Sequence, residues 1–431
     1  MLRFEKRRVK YARSVANLIA RLVGFSSLPF LSALLPFVAL PIVARVGGVD
    51  GWTSFNLGQA IGAYAAAVGY VGWNVMGTPM VATTRDRGER TALYARSFYA
   101  RIGIVGAVGA GAAVIAVVLA PESTRAVAVL FALTGAVGGL GIAWFAVGVS
   151  SVSMIVWFEI VPRAAATALA IPLLLWTGDV FWYGLLMLAA SIAGVIAFHL
   201  VYCRALVPRW VGWQTVRHDI SRLRAAWGVE VVGNLYANAP VPVATATSSV
   251  TQAATYGSGD RLYRYGLLGV VAVGNALQGW VLEVDDARRR VRNRAAIIIL
   301  AVVGVIGFFF LLVAGEPVTA LLFGAELAAE PLTLLWLGVA FFAVAASTPL
   351  IRNVLMPAGR QRPVFIVTVV SAVSGLAGMI LLGDAMGAAG VAAGLAISEM
   401  VTLLACAWLS WRIGLSARPG FSAAAPVVKD L

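Results

Sequence analysis

Runs of about twenty apolar residues return from one end of this 431-residue chain to the other. Each is long enough to cross a ~30 Å hydrocarbon layer as a helix. That recurrence constrains the fold more than any motif, because a backbone in lipid must satisfy its own polar groups and does so as helices or closed barrels. The strands of a barrel would be segments of about ten alternating residues, and none are present. Composition agrees: only 12% of residues are charged and mean hydropathy is +0.89, against about 25% charged in a soluble domain. The expected fold class is an all-α polytopic membrane protein with about twelve transmembrane helices.

Expected spans lie near 22–45, 53–82, 102–121, 126–149, 164–180 and 181–203 in the first half. Those of the second half lie near 227–248, 253–282, 295–315, 331–351, 364–383 and 387–411. The fifth and sixth are separated only by a Gly178-Asp179 break. The positive-inside rule tests this map independently. With the N-terminus in the cytoplasm and sides alternating, 29 of the 33 Lys and Arg residues fall on cytoplasmic segments. Among them are Arg85, Arg87, Arg90, Arg96 and Arg101 after span two, Arg163 after span four, and Arg204, Arg209, Arg217, Arg222 and Arg224 after span six. The four outside this split are Arg45, Arg125, Arg261 and Arg264. The net charge of +14 is therefore topological, and no nucleic-acid partner is expected.

The domain organisation read from this map is a basic, interfacial or cytoplasmic segment at 1–21, a first lobe at 22–203 and a basic cytoplasmic linker at 204–226. A second lobe at 227–411 and a cytoplasmic tail at 412–431 complete it. The N-terminal segment can lie as a cationic helix on anionic lipid or trail as a positive tail. It is followed by a run too long for the apolar region of a cleavable signal. The largest outside loop is expected around Gly315–Pro331, and no loop holds a separate domain. Cys203 and Cys406 are lone thiols and build neither a disulfide framework nor a metal site.

An internal repeat relates the halves. The segment from Pro41 to Phe55 is as long as that from Pro242 to Tyr256, and the same register sets Gly58 on Gly259 and Gln59 on Asp260. Two lobes of six spans keep one orientation and are related by an axis along the membrane normal. Pro36, Pro41, Pro240 and Pro242 are expected to break the first span of each lobe.

Polar groups inside spans are costly unless they face a cavity or a partner, so they are the candidate functional residues. The first lobe offers Arg45, Asn56, Gln59, Tyr64 and Asn74. The second offers Asn234, Asn238, Asp260, Arg261, Arg264, Asn275 and Gln278, with Glu230 and Glu399 as candidate coupling groups. Glu230, Asn234 and Asn238 share one helix face by their spacing of four. Arg45, Arg261 and Arg264 either snorkel to the outer head groups or line a cavity. Asp260 and Arg264, at i,i+4, can neutralise one another. His199 is expected at the membrane interface. No zinc-protease, redox-dithiol or phosphate-loop pattern is present, and Gly257-Ser258-Gly259-Asp260 lacks the surrounding unit of a dinucleotide site. No cofactor and no metal are expected.

The stretch L-P-I-V-A-R-V-G-G-V-D-G-W-T-S-F-N-L-G-Q-A from Leu40, with its glycine-rich continuation, resembles the first two spans of Wzx-type polysaccharide flippases. Tyr256-Gly257-x-x-Asp260-Arg261-Leu262 is similar to the start of their eighth span, with Gly259 where the pattern often has alanine. The resemblance places the chain in the MOP superfamily. It implies two six-helix lobes in a V shape and alternating access in a bacterial inner membrane, both termini cytoplasmic. The implied cargo is an undecaprenyl-pyrophosphate-linked oligosaccharide moved from inner to outer leaflet, with polysaccharide polymerase and glycosyltransferases as neighbours and a monomer as the working unit. Twelve spans depart from the fourteen of some relatives. Arginine's planar fork suits a pyrophosphate, so Arg45, Arg261 and Arg264 are the expected anion-binding groups, with Asn and Gln residues on the sugars. Two other readings stand beside this one. One is a proton- or sodium-coupled antiporter of drugs or metabolites, although spans one and two carry no acidic residue. The other is a membrane polymerase or glycosyltransferase, with Asp50 its one acidic candidate in the first outside loop.

Overall fold

A computed structural model describes residues 39–282 and 286–413. The basic segment 1–21, the opening of the first expected span with Pro36, and the tail beyond 413 lie outside them. Every regular element among the described residues is helical.

The chain forms two compact units, up to Asn238 and from Ala239. In the first, α1 covers 39–69 and turns at Gly48, whose backbone is left-handed (φ 56°). Glycine carries no Cβ penalty there, so the expected boundary between spans one and two is a break inside one helical run. Helices α2 (Trp73–Thr83) and α3 (Arg87–Leu119) follow. Asp86 starts α3 as an N-cap, accepting the Glu89 N–H at 2.9 Å. Helix α4 (Arg125–Gly138) stops short of α5 (Ala143–Gly148). Helix α6 (Val152–Ile155) passes through a π-segment, Val156–Ile160, into α7 (Val161–Thr177). Left-handed Gly178 ends α7 (φ 69°), at the expected break, and α8 (Phe181–Phe198) closes in a second π-segment, His199–Cys203. Helix α9 (Trp213–Asn238) completes the unit.

The second unit holds α10 (Pro240–Thr247), α11 (Val250–Leu282), α12 (Asp286–Phe323), α13 (Pro331–Pro349), α14 (Gln361–Met386) and α15 (Ala388–Ile413). Pro240 sits at the first turn of α10, where a missing N–H costs nothing, and Ala239 separates it from α9. The proline break expected in span seven is thus present.

Eight of the helical segments are long and apolar enough to cross a membrane. They correspond to expected spans three to six and nine to twelve. Of the four remaining expected spans, which open the two halves, most of the first lies outside the described residues, and the other three are interrupted or polar.

The repeat is visible in the backbone. In its register Gly48 answers to Ser249, and α10 and α11 part at Ser248–Ser249. Phe55 and Tyr256, equivalent positions, are both fully buried. A Cβ on Gly58 would meet Phe131 of α4 at 2.8 Å, and one on Gly259 would meet Leu337 of α13 at 3.1 Å. Each glycine lets the second span of its unit approach the fourth closely.

Several expectations need correction. The division between units falls after Asn238, not at 226/227, because α9 is one continuous helix packed on α2 and α3. Much of the expected linker 204–226 is therefore helix. The fifth span begins near Val152, which takes Arg163 out of the preceding loop and into a helix. The expected loop at Gly315–Pro331 is mostly helix, since α12 runs to Phe323. Span two is broken at Tyr70–Gly72, where Val71 and Gly72 are both left-handed (φ 52° and 74°). A β-branched residue in that region is strained. Arg101 is not a loop residue: its side chain is fully buried in α3.

Candidate functional site

The breaks in α1–α2 and α4–α5 leave backbone groups without helical partners, and those groups organise the polar interior of the first unit. Arg101 lies across the α4–α5 break. Its Nη1 donates to the carbonyls of Gly139 and Gly141 at 2.9 and 3.1 Å, while Nε and Nη2 donate to the carbonyl and hydroxyl of Ser97. From the other side, Glu159 Oε1 accepts the N–H groups of Ile142 and Ala143 at 2.8 and 3.1 Å. One guanidinium thus takes the carbonyls of the broken helix and one carboxylate takes its amides. Gly69 of α1 reaches the same place, since a Cβ there would stand 3.3 Å from the Gly139 Cα.

Beside this junction is a cavity of about 380 Å³ within the first unit. Gln59, Tyr70, Thr134, Glu159, Arg163 and Thr167 contribute its polar lining. Phe131 and Tyr183 form an apolar wall, and Phe55 packs against both rings. Of the residues singled out from sequence, only Gln59 lines this cavity. Arg163 is expected in the loop after span four, and Glu159 is not among the candidates the sequence offers. The signal that could have found them is their i,i+4 spacing, with Glu159 inside an apolar stretch.

The α1–α2 break is covered by α9. Trp227 donates its indole N–H to the Val68 carbonyl at 2.8 Å, and the Glu230 carboxylate accepts from the Asn74 side chain and the Gly72 backbone. Gly72 is the residue that permits this approach: a Cβ there would stand 3.0 Å from the Leu223 carbonyl. Two sequence candidates, Asn74 and Glu230, are therefore brought together. The second carboxylate oxygen of Glu230, Oε2, is buried without a hydrogen-bond partner. Asn234 and Asn238 share its helix face, but their amides donate back to the carbonyls of Glu230 and Asn234. Asn56 is buried and donates to the Trp52 carbonyl at 2.9 Å. Arg45 is exposed on α1.

In the second unit α11 begins at Val250, so Asp260, Arg261 and Arg264 lie about three turns inside it and not at its start; they sort into two sets. Arg264 Nε donates to Asp260 Oδ2 at 2.6 Å, with Asp260 nearly buried and Arg264 partly exposed. The self-neutralising i,i+4 pair exists. Arg261 instead bonds to the Tyr265 side chain, one turn on. Glu399 is half-buried on α15, with Ser398 beside it donating to the Ser371 carbonyl at 2.6 Å. Among the described residues no group of three or more His, Cys, Asp or Glu side chains is arranged to hold a metal. His199 is buried, bonded to Tyr94 Oη at 2.9 Å and to the Leu206 carbonyl at 3.0 Å. It fastens the connector that follows α8.

Comparison with known proteins fits this architecture. No curated protein matches in sequence. Among solved structures, a lipid II flippase MurJ in an inward closed conformation superposes with a TM-score of 0.69 at 12% identity, covering 91% of this chain and 87% of its own. An inward-facing multidrug resistance MATE family transporter of the MOP superfamily gives 0.60 at 15% identity, covering 92% and 98%. A eukaryotic MATE transporter gives 0.53 at 11%, covering 92% and 97%. At these identities the likeness is one of fold, and that fold is the MOP transporter fold. The model for the family described as polysaccharide biosynthesis protein matches residues 24–277. These residues contain the whole broken, charge-stapled first unit described here and the arginine-bearing part of α11. The chain is a multi-pass helical membrane protein with this fold and belongs to the polysaccharide biosynthesis protein family.

Proposed function

We propose that this protein moves an undecaprenyl-pyrophosphate-linked oligosaccharide from the inner to the outer leaflet of a bacterial cell membrane by alternating access. The observation that carries the reading is the charge set about three turns into α11: two guanidinium groups, Arg261 and Arg264, stand with one carboxylate, Asp260, on a helix of a polysaccharide biosynthesis protein. Arginine binds phosphate oxygens through a planar fork. Arg261, anchored to Tyr265, is the group that meets the pyrophosphate, with Arg45 of the first half as a further anion-binding group. Gln59 and Asn74 meet sugar hydroxyls. The acyl chain stays in lipid, where burying it costs nothing. Glycosyltransferases that build the glycan and a polymerase that extends it are the expected neighbours, and a monomer is the working unit.

The test is export in cells. Arg261→Ala and Arg45→Ala, each expressed at the wild-type level, should abolish surface polysaccharide and leave lipid-linked glycan in the inner leaflet. Normal surface polysaccharide in both variants would defeat the proposal.

A second reading rests on a different observation. The cavity of the first unit is lined by a carboxylate, Glu159, and Glu230 has one buried oxygen without a partner. Acidic groups in such settings suit uptake of a proton or sodium ion, as an ion-coupled antiporter of small cations would need. Proton- or sodium-dependent efflux of a cationic dye from vesicles, lost in Glu159→Gln, would favour it. Dye retention together with glycan export would reject it.

A further inference from the structure

At one end of the first unit, α3 and the connector after α8 enclose a second cavity of about 550 Å³. Its polar lining is cationic: Arg87 and Thr91 from the first turns of α3, and Arg204 and Arg209 from the connector. Tyr202 and Trp210 supply aromatic walls, and no carboxylate is among the described residues that line it. Asp86, the residue before Arg87, caps α3 by accepting the Glu89 N–H.

The cavity is built, not a chance gap between loops. The connector is tied down by His199 to the Leu206 carbonyl at 3.0 Å and by Tyr99 Oη, which donates to the Pro208 carbonyl at 2.6 Å. The Tyr99 and Trp210 rings meet edge to face at 4.6 Å. Arg87 lies over the Tyr202 ring at 5.5 Å, which fixes its guanidinium at the rim. Arg204 is held in the left-handed region (φ 55°), a conformation that costs a residue with a Cβ of order 1 kcal/mol or more. The sequence keeps an arginine at a place where glycine would be unstrained.

Its surroundings name the medium. The helices that form the walls, Arg87–Leu119 and Phe181–Cys203, are both long and apolar enough to cross a membrane, and the cavity lies at the start of the first and the end of the second. Leu206, Val207, Trp210 and Trp213 of the adjoining connector are more than half exposed. Exposed Leu, Val and Trp beside arginine belong at the boundary between acyl chains and head groups. Arg87, Arg204 and Arg209 also fall on the side that the arginine count assigns to the cytoplasm, where anionic lipid is concentrated.

We propose that this cavity is a binding site for the phosphate head group of an anionic membrane lipid, held by Arg87, Arg204 and Arg209 with the lipid chains against the apolar connector. The site is separate from the charges on α11 and does not depend on which cargo is carried.

The experiment uses the full-length protein in nanodiscs. Native mass spectrometry would count retained phosphatidylglycerol against phosphatidylcholine, with inorganic phosphate as the soluble probe. Retention of phosphatidylglycerol should fall by roughly tenfold for each arginine replaced, as expected for loss of a charge-assisted hydrogen bond, in Arg87→Gln, Arg209→Gln and Arg204→Gly. The last variant relieves the backbone while removing the side chain, so a folding defect cannot imitate the loss. Arg217→Gln with Arg222→Gln, exposed on α9 and outside the cavity, should retain lipid as the wild type does. Equal loss in that control would overturn the proposal, as would unchanged retention in Arg204→Gly. Displacement of the lipid by millimolar inorganic phosphate would assign the cavity to a soluble anion instead.

Discussion

In the first unit the second span leaves helical geometry at Tyr70–Gly72, whereas its counterpart α11 continues as one helix of 33 residues. The fourth span differs in the same way. Between α4 and α5 the chain is open at Gly139–Ile142, while α13 runs from Pro331 to Pro349 and passes directly into a π-segment, Leu350–Leu355. Each break exposes carbonyls and amides that lipid cannot satisfy, and the first unit answers with Arg101, Glu159, Glu230 and Asn74. The second unit opens no such gaps in these helices, and about three turns into α11 Arg264 bonds to Asp260 and Arg261 to the Tyr265 side chain. One repeat therefore uses ionisable residues to complete its broken helices. In its sibling these ionisable groups meet other side chains along a single helix.

That contrast can be broken most directly at Arg101. Arg101→Ala leaves the Gly139 and Gly141 carbonyls and Ser97 without their donor and opens a void, and should cost ~3–5 kcal/mol. Loss of monodisperse protein in detergent would report it. Glu159→Ala strands the amides of Ile142 and Ala143 and should cost about 2–3 kcal/mol, with Glu159→Gln about half as harmful because an amide oxygen still accepts. Thermal unfolding followed by fluorescence would separate the two variants. The opposite result is expected in the second unit. Arg261→Ala should shift stability by less than about 1 kcal/mol while abolishing export, so a large drop in melting temperature there would erase the distinction. Smallest of all, Asp260→Asn should cost about 0.5–1 kcal/mol, since Arg264, its partner at i,i+4, is partly exposed.

How much of this was written in the residues depends on where each break gets its cause. Gly178, Gly48 and Pro240 announce their breaks locally, because left-handed backbone suits glycine and a proline lacks an N–H. The repeat register was legible for the same reason. The Tyr70–Gly72 break was not: Val71 is a poor residue for that conformation, and what supports it is the packing of α9, with Trp227 on the Val68 carbonyl. Arg101 stands just ahead of an apolar run and reads as the last charge of a loop. Only the open carbonyls at Gly139 and Gly141, 38 and 40 residues away, explain its burial. The site was legible to the same extent. Asp260, Arg261 and Arg264 declared themselves against an apolar background, while Arg163 was assigned to a loop and Glu159 went unnoticed, because hydropathy averages cannot say which turn of a helix meets a cavity. Asn234 and Asn238 drew notice for their polarity, yet their amides serve the carbonyls of their own helix.

The reciprocal caps on the α4–α5 break also set an order of biogenesis. When α5 emerges from the ribosome, Arg101 is already made and can engage the carbonyls, but Glu159 lies 16 and 17 residues downstream of the amides it must receive. Until that carboxylate arrives, two N–H groups have no partner, and release of α3–α5 into lipid would strand them at a cost of several kcal/mol. The hairpin cannot mature span by span. In the folded protein the integrity of the α4–α5 break thus depends on a residue that follows it in the chain, which couples the stability of α3 through α7.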